Sequence, residues 1–416
     1  MEILVGLFGY LLFILSGVSI VRASIVSFGS NLNVSTALIL PYLMICTFQV
    51  IVAFFYPTII FPCLEYWLIL IFFFSLTFIT EYAVTRLFKI GKRKFRREVF
   101  SDITGKHVFY TLIILFLIYV VYDTYTQVSR VDITMLLQDE FEEEYGGSGG
   151  FYSRVFLMIC ATCFFGFFNK WYGFVLGVIC LLPSLVVNTK GIIFIPILAS
   201  LFLKAYLSEI TNIKKTVLIV GAIGVFVFFG SYMWEFFTYG SNPLGDKDRW
   251  QQITDKLISY LISGVQEFNV NIVSPIDDVF RRSINITLTP FNNLLSKFGI
   301  GESISSINEI SRPIGLKTTV ESSPNVNSHI GTLYLFNGLV GASLLHMFWV
   351  SLTILIRKIA SITKSIFMVV CYCLLLTGFA LGWFDFYFMQ TFWIYIIIFC
   401  LILSLFFTSK RKRNEL

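Results

Sequence analysis

Charge is scarce in this chain: Asp, Glu, Lys and Arg make up 13% of its 416 residues, against 56% hydrophobic residues. That balance excludes an ordinary soluble enzyme of two or three domains and places the chain in the membrane class. ATP-driven transport and common hydrolase mechanisms lose support as well, since no Walker loop, GxSxG elbow or HExxH helix occurs. The eight cysteines supply no disulfide framework, because Cys46, Cys160, Cys163, Cys180, Cys371, Cys373 and Cys400 fall inside apolar runs and Cys63 near the end of one. Cys160 and Cys163 form a CxxC without a partner pair, which reads as packing and not as a metal site. A cleavable leader is missing too: the stretch from Met1 to Ile20 has no basic n-region or A-x-A site, and its first positive charge, Arg22, comes after the apolar run, as in a retained first helix. The net charge of +6 does not argue for a nucleic-acid partner, because the basic residues cluster beside helix ends, where membrane orientation explains them.

What is present is a succession of apolar runs of roughly 18 residues or more, the length a helix needs to cross a ~30 Å hydrocarbon layer. They predict an all-α, polytopic membrane helix bundle of about eleven spans, near 3–21, 36–56, 66–88, 108–122, 152–168, 171–188, 190–206, 215–233, 331–356, 365–383 and 388–408. The basic segments, Lys89 to His107, the pair Lys214 and Lys215, Arg357 with Lys358, and the tail SKRKRNEL, all fall on one side of such a bundle. The positive-inside rule assigns that side to the cytoplasm and the N-terminus to the opposite face. The chain then divides into spans one to eight (1–233), a large loop on the outer face (234–330), and spans nine to eleven with a basic cytoplasmic tail (331–416).

The long loop carries its own helical signals. In WQQITDKLISYLISGVQEF, Ile253, Leu257, Leu261 and Val265 recur every four residues and give one apolar face, which predicts a helix lying on the membrane surface. SPIDDVFRRSI opens with Ser274 as an N-cap, Pro275 at the first helical position and Asp277 three residues after the cap; TPFNNLLSKFGIG repeats the pattern with Thr289, Pro290 and a stop at Gly299.

Candidate chemistry concentrates on this face. Arg281 and Arg282 can form (i, i+4) pairs with Asp277 and Asp278, but such surface pairs contribute under ~1 kcal/mol, and adjacent guanidiniums better suit a phosphate or pyrophosphate. Lys190 stands between two apolar spans with almost no loop, and a charge at membrane depth points to function or to snorkelling. His329, one of three histidines, sits where the polar loop meets an apolar run, as an interfacial residue or as a proton donor or anion ligand. His346 reads as a hydrogen-bonded helix residue. The acidic run Asp139, Glu140, Glu142, Glu143 and Glu144 reads as a solvated loop, and the sequons at Asn33 and Asn285 as chance matches.

His329, Leu333, Leu335, Gly338 and Gly341 resemble the end of the large periplasmic loop in the O-antigen ligase and O-antigen polymerase superfamily, where a histidine precedes leucine-rich positions and a Gly-x-x-Gly. NTKGIIFIP is similar to that family's Ser-Arg-Gly, with Lys190 in place of arginine and so without its bidentate fork. FRRSI followed by KFGIGES resembles the arginine and the Gly-x-Gly turn (Gly299 to Gly301) ahead of the histidine. The resemblance covers the second half of the chain. It implies a metal-independent, cofactor-free GT-C-like glycosyltransferase of the bacterial inner membrane, acting at the periplasmic face on an undecaprenyl-pyrophosphate-linked oligosaccharide. Membrane lipids and a chain-length regulator are the implied partners. Arg281, Arg282, Lys190 and His329 would hold the pyrophosphate and stabilise its developing charge, His329 also donating to a phosphate oxygen. Asp277, Asp278, Glu267 and Glu321 are the candidate acceptor bases, unranked. Polymerase is the expected activity, because Lys190 and Ile330 replace the ligase-type arginine and asparagine; a ligase acting on lipid A core and a lipid-linked oligosaccharide flippase are the alternatives.

Overall fold

The computed structural model describes residues 2–56, 59–90, 105–128, 150–167, 171–186, 190–207, 247–273, 287–301 and 327–407. Among them there is no strand, only α-helices and one 3-10 turn. The helices are α1 (Glu2–Phe28), α2 (Val34–Phe55), α3 (Leu64–Leu87), α4 (Lys106–Val128), α5 (Gly150–Phe167), α6 (Trp171–Val186), α7 (Lys190–Tyr206), α8 (Lys247–Val273), α9 (Thr289–Ser296), α10 (His329–Thr363), α11 (Ile366–Ala380) and α12 (Phe392–Phe407). Six of them, α1 to α5 and α10, are long and apolar enough to cross a membrane, and α6, α7, α11 and α12 are shorter apolar helices. The chain is therefore a multi-pass helical membrane protein. Every expected span coincides with a helix except 215–233, which lies outside the described residues, as does the acidic run 139–144.

Helix α11 is the post of the bundle. Every one of its residues is buried, and it packs against α10, α7, α12, α2 and α5. By contrast, only 22% of the apolar window of α1 and 17% of that of α4 is buried, so those helices form the outer wall and turn their apolar side chains to lipid. Between α11 and α12 the chain leaves the helix, yet Phe386, Phe388 and Met389 of this connector are buried. Non-helical backbone is tolerated there because protein, not lipid, surrounds it.

Local rules set the helix ends. Asn33 starts α2 through a capping box with Thr36; its full burial leaves that sequon inaccessible. Thr289, expected as a cap, is instead the first residue of α9, behind Leu288 and with Pro290 in the first turn. Gly299 does stop that segment, with φ +77°, and Gly301 takes φ +76°.

Two elements depart from expectation. Helix α8 does not lie with one face on a surface: from Ile262 to Asn271 every residue is buried, and it packs against α2, α3 and α10. Gly264 permits this, since a Cβ there would run into the carbonyl oxygen of Phe384. Helix α10 is not one straight span. It breaks at Gly338, whose φ of +62° and ψ of −178° belong to a region open essentially to glycine. His329 and His346 are 17 positions apart and would stand about 25 Å from each other along a straight helix, yet their rings are hydrogen-bonded. Residues 329–337 therefore fold back as an arm beside residues 339–363, which run about 37 Å and are themselves long enough to span. The arm is largely buried, while Gly338, Leu339 and Val340 at the bend are exposed.

Candidate functional site

The folded-back arm brings its N-terminus into the protein interior, where four backbone N–H groups need acceptors. All four are satisfied. His329 N donates to the Gly382 carbonyl at 2.6 Å and Thr332 N to the Ser328 carbonyl at 2.7 Å. Ile330 N donates to Tyr42 Oη at 3.3 Å and Gly331 N to the Ser328 hydroxyl at 3.2 Å. Tyr42 in turn donates to Gly382 O at 2.8 Å. With every donor committed, this helix end is not an anion cradle.

The His329 side chain, fully buried, is enclosed by the rings of Phe379, Phe386 and Phe388. Its Nε2 lies 2.9 Å from His346 Nδ1, and His346 Nε2 lies 2.7 Å from Thr77 Oγ1 of α3. His346 is thus the packed, hydrogen-bonded helix residue its sequence context suggests. His329, in contrast, faces the protein interior.

Helix α8 has two polar faces with opposite fates. Gln266 and Asn269 lie toward α2 and α3 and are fully used: Gln49 Nε2 donates to Gln266 Oε1 at 2.7 Å, Gln266 and Asn269 both donate to the Ile60 carbonyl at 3.2 Å, and Cys63 N donates to Asn269 Oδ1 at 3.1 Å. Glu267 and Asn271, four apart, fall on the arc of Gly264 and Phe268. That arc meets the arm: Ser328 N donates to Gly264 O at 3.0 Å, and Phe268 touches the Gly331 position. On this side the pairing is incomplete. Asn271 donates to the Glu267 main-chain carbonyl at 2.8 Å, but Glu267 Oε2, Asn271 Oδ1, both polar atoms of the Asn327 side chain and His329 Nδ1 have no hydrogen-bond partner among the described residues. Each such group costs about 1–3 kcal/mol when left unpaired, a cost that a molecule pairing with them would recover.

Burial pushes the Glu267 carboxyl up to about 8, so at neutral pH it is mainly a protonated, uncharged acid. Asp385, in the buried connector, is raised by burial to about 7, and its Oδ1 accepts from Phe386 N at 2.7 Å. No group of three or more metal-ligating side chains occurs among the described residues. Glu267, Asn271 and Asn327 suit an uncharged ligand rich in hydroxyl groups, since they offer acceptors, a carboxylic acid and amides.

Of the residues singled out from sequence, His329 and Glu267 are both described and buried, His329 on the arm and Glu267 on the side of α8 that meets the arm. Lys190 opens α7. Arg281, Arg282, Asp277, Asp278 and Glu321 lie outside the described residues, as does the Ser274 cap. Sequence reasoning passed over Asn271, Asn327, Tyr42 and Asp385. Asp385 alone had a usable signal, as a single acid inside the apolar stretch GWFDFYFM.

A helical multi-pass membrane protein with a folded-back half-helix and a buried connector meeting at one polar site is the class these elements define. Within it, residues 50–414 match the family of unknown function DUF6337, and the chain belongs to that family. No curated protein and no solved structure matches the chain.

Proposed function

We propose that the protein is a GT-C-like, metal-independent glycosyltransferase of the bacterial inner membrane that polymerises undecaprenyl-pyrophosphate-linked oligosaccharide repeat units, an O-antigen polymerase in activity. The observation that carries the reading is the set of buried polar atoms left without hydrogen-bond partners among the described residues where α8 meets the arm: Glu267 Oε2, Asn271 Oδ1, the Asn327 side chain and, on the arm, His329 Nδ1. These uncharged groups favour a sugar over a phosphate. His329 Nδ1 is the base of this reaction: it takes the proton of an acceptor hydroxyl as that oxygen bonds the anomeric carbon, and the anomeric C–O bond breaks with its electron pair leaving on the lipid pyrophosphate. Arg281, Arg282 and Lys190 take the pyrophosphate. In this reading the N-terminus and the 234–330 segment are periplasmic and the C-terminus is cytoplasmic, as the basic connectors imply.

A second reading has one observation in its favour. The chain of side chains from His329 through His346 to Thr77 runs into the bundle interior, and buried histidine chains together with a broken helix also serve proton-coupled carriers, here a flippase.

Proteoliposomes given only the single-repeat undecaprenyl pyrophosphate substrate decide between them. The expected result is a ladder of longer lipid-linked chains, abolished by His329→Ala and by Arg282→Ala with membrane insertion intact. Transfer only after lipid A core is added means a ligase. Movement of the substrate across the bilayer without transfer means a flippase and overturns the proposal.

A further inference from the structure

The hydrogen bonds behind His329 have a direction. Thr77 Oγ1 lies 2.7 Å from the Phe73 carbonyl one turn back, and a carbonyl only accepts, so the single hydroxyl proton is committed to it. The Thr77 oxygen therefore faces His346 Nε2 as an acceptor, and that nitrogen carries the proton. No charged side chain acts on either imidazole among the described residues. The faces and edges of Phe73, Phe379, Phe386 and Phe388 around them accommodate an uncharged pair. A neutral imidazole has one N–H, so His346 Nδ1 is a lone pair, and the nitrogen 2.9 Å away, His329 Nε2, is its donor. What remains on His329 is a lone pair at Nδ1, the atom left without a partner among the described residues.

We infer that His346 and Thr77 are positioning residues that lock His329 as its Nε2–H tautomer, so that Nδ1 is left as a free hydrogen-bond acceptor. The use of that acceptor as a base rests on the glycosyl-transfer reading; the tautomer does not. The relay also decides between the two roles open to His329, because a histidine held this way accepts a hydroxyl proton and does not donate to a phosphate. In a helix that folds back on itself, His346 is the residue that reaches across from the long limb to set the chemistry of the short one.

The test is the nitrogen spectrum of 15N-histidine-labelled full-length protein in lipid nanodiscs, with exposed His107 replaced by Asn so that only two imidazoles report. Both are expected as Nε2–H tautomers with lone-pair nitrogens at Nδ1. His346→Asn sets an amide oxygen near the place of Nδ1 and keeps His329 in that form. His346→Leu removes the acceptor, releases His329 into a tautomer mixture and lowers transfer by part of the ~10²- to 10⁴-fold that a general base contributes, with His346→Asn restoring most of it. Thr77→Val, a smaller change, shifts the His346 signals without disturbing the fold, and serves if His346→Leu does not fold. A wild-type His329 in the Nδ1–H form, or a His346→Leu protein with unchanged spectrum and turnover, overturns the inference. The expected spectrum in a protein that transfers to no sugar acceptor leaves the tautomer standing and removes the function.

Discussion

Glu81 and Glu267 are both sunk in the helix bundle, at 1% and 3% exposure, and their surroundings are opposite. Glu81 of α3 closes the start of α2. It accepts from Val34 N at 3.1 Å, from Ser35 N at 2.8 Å and from the Ser35 hydroxyl at 2.7 Å, and the buried Arg357 guanidinium, itself bonded to Tyr206, acts on it electrostatically. Its lone pairs are used and a helix N-terminus supplies partial positive charge. Glu267 has an oxygen with no partner, beside other groups in the same condition. A carboxylate spent on holding two helices together looks like the first; one kept for a ligand looks like the second.

Substitutions separate the two. Glu81→Ala leaves three donors at the start of α2 without their acceptor and leaves Arg357 without its carboxylate. It is expected to cost about 3–5 kcal/mol, seen as a large fall in melting temperature in detergent; an unchanged melting temperature would remove the structural role. Gly338→Ala meets no neighbouring atom within 4 Å, so its penalty is backbone conformation alone, about 1–3 kcal/mol. It is expected to lower the melting temperature less than Glu81→Ala while weakening the His329–His346 contact, which the same nitrogen spectra read.

Glu267→Gln is expected to change stability least and activity strongly, the reverse of Glu81→Ala. It also carries a pH signature. The folded protein raises this carboxyl from the ordinary 4.5 to about 8, so the folded state holds the proton more tightly. The resulting stability is full below about pH 4.5 and is lost as pH rises toward 8. The melting temperature of wild type minus that of Glu267→Gln should fall across that window, a subtraction in which Asp385 and Glu81 cancel. A flat difference would mean that Glu267 meets water or a partner.

The apolar helices were legible because hydropathy alone reports them, and α1 to α7 and α10 to α12 lie where the apolar runs lie, six of them long enough to cross a membrane. The break in α10 was not, since the apolar run continues through Gly338 and glycine is common in membrane helices. Helix α8 misled for a related reason. Its apolar stripe of Ile253, Leu257, Leu261 and Val265 was real, but the burial of its polar stripe depends on Gln49 and the Ile60 carbonyl, far away in sequence. His329 was legible as a special position and Glu267 as one candidate base among four. Nothing in the sequence placed Glu267 on the face of α8 that meets the arm, because that face is set by the contacts of Gly264 with Ser328 and of Phe268 with Gly331.

The arm of residues 329–337 also works as a ruler. Its length alone sets how far His329 reaches back from the bend at Gly338, and its register alone sets which way the ring points. One residue more or fewer between them would shift the histidine by about 1.5 Å and turn it by about 100°, away from His346. Apolar residues along the lipid-facing wall can exchange with one another freely, but the count from His329 to Gly338 admits no such latitude.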